Sequence, residues 1–141
     1  MICSKELVNY VLDLTKNKTK IPDIIYKNRN NKKYFIIGLM DSDGWITKVN
    51  AKDGYIRYRV GFKNKFDFTN KIRRLFLHFN VKVGKLREVE NYRKKKKTFA
   101  YTFSINTFDY CKNIGFGIKR KQKLAKDYFL FLKRKRDAIK R

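Results

Sequence analysis

Two carboxylates stand two residues apart in Asp41-Ser42-Asp43-Gly44. Carboxylate oxygens gathered on one turn are what a hard divalent cation accepts as ligands. The same string also serves simply as the cap of a helix. A second chemical character is spread along the whole chain. Its 141 residues hold 37 Lys+Arg against 12 Asp+Glu, a net charge of +25. Such a charge implies a polyanionic partner, nucleic acid first and an anionic membrane surface second. Other chemistries are removed by what is missing. One histidine, His78, cannot build a two-histidine site. Cys3 and Cys111 are too far apart in sequence for metal-ligand spacing or a disulfide framework, which favours a reducing compartment.

These residues need a scaffold, and 43% hydrophobic residues supply a core for one domain. Residues 4–15 read as a short amphipathic helix capped by Ser4. Pro22 is placed to open a second one, IPDIIY. Residues 28–33, NRNNKK, read as a solvated linker, so 1–32 form an N-terminal helical extension and 33–141 the main domain. The run YFIIGLMD at 34–41 suits a buried strand or a buried helix equally. After it come two β-like runs, 45–50 and 55–63, around the Asp53-Gly54 hairpin signal. In the second run Ile56, Tyr58, Val60 and Phe62 share one face, and Tyr55, Arg57, Arg59, Gly61 and Lys63 share the other.

A helix over 67–80 carries Phe68, Ile72, Leu75, Phe76 and Phe79 on one stripe. A second β pair spans 83–89 and 98–105. Phe99, Tyr101, Phe103 and Ile105 point inward, and Thr98, Ala100, Thr102 and Ser104 outward. Between these strands Tyr92, Arg93, Lys94, Lys95, Lys96 and Lys97 form a charged loop. Helices over 108–114 and 119–141 follow, broken by Gly115 and Gly117. The order α-ββ-α-ββ-α-α predicts an α+β fold, an antiparallel sheet with helices on one face and a basic open face.

Several motif readings fail on spacing. As a calcium loop, D-x-D-G would place Trp45 at position five and Lys52 at position twelve, which is no EF-hand. As a haloacid-dehalogenase nucleophile it would end a strand and lead into α/β crossovers, whereas a hairpin follows here. Gly115-Phe116-Gly117 lacks Walker spacing. Trp45 reads as a packing anchor, with stacking on DNA as the alternative, and His78 as a helix residue.

The segment Ile36-Ile37-Gly38-Leu39-Met40-Asp41-Ser42-Asp43-Gly44 resembles the nine-residue signature of the LAGLIDADG homing endonucleases. Gly38, Leu39, Asp41, Asp43 and Gly44 match, Ile36 and Met40 are conservative, and Ile37 departs from a small residue. The helix and strand order agrees with that family. Asn113-Ile114-Gly115-Phe116 followed by Lys119-Arg120-Lys121-Gln122-Lys123-Leu124 looks like its basic C-terminal element.

The resemblance implies an αββαββα saddle of the homing-endonuclease kind. It also implies a site-specific double-stranded DNA endonuclease, dependent on Mg2+ or Mn2+, leaving staggered ends with 3′ overhangs. One signature per chain implies a homodimer on a nearly palindromic site, two signature helices meeting through Gly38, Asp41 and Ser42. Asp43 is then the metal-binding catalytic acid, with the Ser42 carbonyl as a further metal ligand. Lys121 is the active-site lysine near water, and Asn64 the polar residue that positions water. Such proteins are encoded by introns, inteins or free-standing genes that spread as mobile genetic elements. IPDIIY and IGF…KRKQKL look closest to intein-associated relatives, and a start at Met1 without a splicing block to intron homing or a free-standing gene.

The basic face is expected in the major groove, with Tyr55, Arg57, Arg59, Lys63, Lys85, Arg87, Thr102 and Ser104 as contacts. Lys94, Lys95, Lys96 and Lys97 and the last helix are expected on phosphates. The competing reading is a non-cleaving nucleic-acid-binding protein of the same fold, either a maturase acting on intron RNA or a DNA-binding regulator. No apolar run is long enough for a membrane span. No secretory leader is apparent either, so an intracellular site is expected, in an organelle, nucleus or prokaryotic or viral host cytoplasm.

Overall fold

The computed structural model describes residues 20–93 and 96–140, residues 91–93 and 96–97 through their backbone alone. The helix expected at 4–15, Cys3, Lys94 and Lys95 lie outside the described residues. The fold is α+β. In order come α1 (Asp23–Tyr26), α2 (Arg29–Ser42), β1 (Trp45–Asn50), β2 (Ile56–Gly61), β3 (Lys63–Asn64), α3 (Phe66–Leu77), β4 (Arg87–Arg93), β5 (Lys96–Thr102), α4 (Thr107–Asn113) and α5 (Lys119–Ile139).

The ambiguous apolar run is a helix, and its start lies further upstream than expected. Residues 28–33 are no linker: Asn28 caps α2, its Oδ1 accepting the Asn31 N–H at 2.8 Å. The first turns are polar because they face water, and the cap satisfies a donor that a helix start leaves open. Ile36 and Met40, one turn apart, are both fully buried in the core. Tyr34, Gly38 and Ser42 run along the opposite, exposed side.

All strand pairs are antiparallel, in two sheets ordered β1-β2 and β3-β5-β4. The second β-like run is split at Phe62, fully buried, whose carbonyl accepts the Thr102 hydroxyl at 2.6 Å. Val60 of β2 also bridges Ile105, just beyond the end of β5. Phe62, Phe68, Ile72, Phe76, Phe79, Phe103 and Tyr110 fill the core beneath the sheets. The rings of Phe103 and Tyr110 meet Phe76 edge-on at 5.5 and 5.7 Å.

The second hairpin departs from expectation. Its first strand is Arg87–Arg93, and Val83 only bridges Ile105. Lys96 and Lys97 belong to β5 rather than to a loop, Arg93 pairing with Lys96. Phe99 is 54% exposed and Ala100 buried, the reverse of the expected faces. The reason is reach: α3 covers β5 as far as Tyr101, whose ring meets Phe66 at 5.0 Å, and the hairpin runs on past the helix. Among the described residues no helix is long and apolar enough to cross a membrane.

Candidate functional site

Everything at the D-x-D-G turn follows from how α2 ends. The last carbonyls of a helix have no partner within it. Here a lysine from the far end of the chain supplies one. Lys121, in the first turn of α5, is 3% exposed, and its Nζ donates to the carbonyls of Met40 (2.7 Å), Asp41 (2.8 Å) and Gly44 (2.8 Å). An ammonium has three protons, so all of them are committed. Burial pushes the Lys121 pKa below its usual value; Asp41 and Asp43 oppose that shift, and Arg120 reinforces it. The Ser42 carbonyl is left out of the set, while the Ser42 hydroxyl donates to Leu39 at 3.1 Å.

A second clasp holds the same turn. The Gly117 N–H donates to both oxygens of Asp41, at 3.0 and 3.1 Å. A Cβ at position 117 would stand 2.5 Å from Asp41 Oδ2, so a side chain there would push the carboxylate out of this clasp. The Asp41 carboxylate is therefore engaged by backbone. The Gly115–Gly117 turn is itself anchored, because the buried Tyr110 hydroxyl donates to the Gly115 carbonyl at 2.7 Å.

Asp43 is the C-cap of α2, half-buried, its N–H bonded to the Leu39 carbonyl at 2.8 Å. One carboxylate and a neighbouring carbonyl outside the Lys121 set are a partial ligand set for a hard cation. Magnesium is commonly held by one or two carboxylates together with substrate phosphates and water, so the donor chemistry fits. No cluster of three or more His, Cys, Asp or Glu occurs among the described residues. Asn64 lies at the end of β3, with Oδ1 accepting the Lys65 N–H at 2.8 Å. On α2, the space a Gly38 side chain would fill is empty to 4 Å, and Ser42 is exposed one turn on.

The basic residues divide into groups. Arg59, Lys63, Arg87, Thr102 and Ser104 come together in a depression of about 580 Å³ between the two hairpins. Lys63, Thr102 and Arg87 are directly paired across β3, β5 and β4, so they share a face. Tyr55 and Lys85, both exposed, do not line it. Arg57 is engaged by Asp53 at 2.7 Å at the tip of the first hairpin. Of the lysine run, Lys96 and Lys97 lie in β5 near the tip of the second.

One residue was missed in the sequence. Gly117 was read only as a helix break. Trp45, read as a packing anchor, packs on the polar face: it pairs with Gly61 and its indole covers that glycine. Alternation held the signal, since Ile46 points inward and Trp45 must then point outward.

No known family model matches the chain, and no curated protein matches it either.

Proposed function

We propose that the chain is a metal-dependent, site-specific DNA endonuclease acting as a homodimer, two protomers straddling the duplex as a saddle. The observation that carries this reading is the doubly clasped turn, in which Lys121 and Gly117 fix the backbone around Asp43 while leaving the Ser42 carbonyl out of their bonds. Magnesium or manganese held by Asp43 and the Ser42 carbonyl would lower the pKa of water and neutralise charge on the phosphate. Asp41 holds the helix end to the α4–α5 turn. Lys121 acts through the turn, fixing the carbonyls on either side of Asp43; a proton for water would require one of its three bonds to be exchanged. The exposed Tyr34, Gly38, Ser42 side of α2 offers a face for a second α2, and open space at Gly38 permits close approach.

The cationic depression supports groove contacts by Arg59, Lys63 and Arg87. Thr102 spends its proton on Phe62 and retains acceptor capacity for a base edge. The test is cleavage of duplex DNA in magnesium by the wild type and by Asp43→Asn. Loss of cleavage with retained binding is expected, and equal cleavage by both refutes the site.

A further inference from the structure

The only tryptophan of the chain lies on the polar side of the sheet, over Gly61, and remains 36% exposed. It stands at the depression that also holds Arg59, Lys63, Arg87, Thr102 and Ser104. Among the described residues no carboxylate lines that depression. Among the described residues Arg59 and Arg87 have no ion-pair partner, in contrast to Arg57, which Asp53 engages. Its volume of about 580 Å³ falls within the range of about 300–1,000 Å³ that accommodates small ligands. An aromatic surface flanked by guanidinium groups is the combination that takes a base and its phosphate together.

We propose that this depression binds one unpaired nucleotide, its base stacked on the Trp45 indole and its phosphate held by Arg59 and Arg87. A base inside a duplex has both faces covered by its neighbours, so an indole at the surface can stack only on an unstacked base. The ligand is therefore an unpaired nucleotide, either free or within a single-stranded stretch. The inference goes beyond the endonuclease reading, because it needs neither Asp43, nor a metal, nor a second copy.

Trp45 fluorescence reports directly on the site. The full chain, in a chelator, is titrated with an octathymidylate, with an abasic strand of the same length and charge, with thymidine monophosphate and with inorganic phosphate. The base-bearing strand is expected to quench Trp45 and to bind about 5- to 150-fold more tightly than the abasic strand, the equivalent of one stacked base. Quenching by thymidine monophosphate as well assigns the site to the free nucleotide, and quenching by the strand alone to nucleic acid. Trp45→Ala, followed through a labelled strand, is expected to erase the difference between the two strands. Equal affinity of the unaltered chain for both strands, or quenching by inorganic phosphate to the same extent, overturns the proposal. No duplex is cut in this titration, so its failure and that of the endonuclease reading are separate results.

Discussion

The ammonium of Lys121 lies 2.8 Å from the carbonyl of Gly44, a residue 77 positions earlier in the chain. The contact ties the first turn of α5 to the end of α2, on the far side of Asp43 from the Asp41 and Met40 carbonyls that the same ammonium holds. A cation at a helix C-terminus is favourable for the dipole as well as for the open carbonyls. The backbone on either side of Asp43 is therefore held by a residue of α5.

Replacing Lys121 by Met leaves three carbonyls without their donor, at a cost of about 1–3 kcal/mol for each that stays unsatisfied. The expected result is a lower thermal midpoint, a cleavage rate reduced about a hundredfold by displacement of the turn, and duplex affinity unchanged. Lys121→Arg should restore stability only in part, since a planar fork does not reproduce a compact ammonium. Stability and rate are read by thermal unfolding and single-turnover cleavage. Affinity lost in parallel with rate would show that Lys121 holds phosphate instead.

Gly117→Ala places a Cβ against Asp41 Oδ2. Forcing a methyl into such a contact costs about 1–3 kcal/mol. Denaturant unfolding should show that loss, together with slower cleavage. Full activity and stability would mean that the Asp41 clasp does not position the turn.

Arg59 and Arg57 should behave differently. Arg59→Ala should cost about 1–3 kcal/mol at one base position of a bound site. Arg57→Ala should cost less, because its guanidinium is already paired with Asp53. Binding-site selection with each variant measures both, and uniform weakening across sequences by Arg59→Ala would assign it to phosphate.

Cys111 gives a pH dependence of defined sign. Burial raises its thiol from 9.0 to about 11. Between these values the folded chain binds more protons than the unfolded one, so the stability linked to Cys111 is intact below pH 9 and is lost as pH rises through 11. In a Cys3→Ser background, the stability difference between Cys111 and Cys111→Ala should shift against Cys111 across that window. A difference constant with pH would contradict the burial of the thiol.

The α+β class and the order of elements were legible because short alternating runs and the Asp53-Gly54 turn are local signals. Residues 34–41 were not, because Phe35, Ile37 and Leu39 are half-buried at the flanks of α2 and blur its helical period. The polar start of α2 read as a linker because exposure and disorder share a composition, although Asn28 followed by Asn31 contained the cap. Phe99 was assigned inward by alternation alone, which cannot report where α3 stops. Asp41, Asp43 and Lys121 were all visible as a motif or a basic element. What local sequence could not give was the bond between Lys121 and the end of α2, 77 to 81 residues apart. A hint was present: Lys121 lies on the same stripe of α5 as Leu124, Ala125 and Tyr128, where a lysine has to be buried.

The most direct measurement is incubation of the wild type and Asp43→Asn with a randomised duplex library in magnesium, followed by sequencing of the cut ends. The expected outcome is paired staggered cuts with 3′ overhangs around a nearly palindromic sequence, at least about a hundredfold depleted with Asp43→Asn, as several kcal/mol of lost metal catalysis requires. Absence of cuts, or the same cuts from both proteins, would contradict the assignment of catalysis to Asp43.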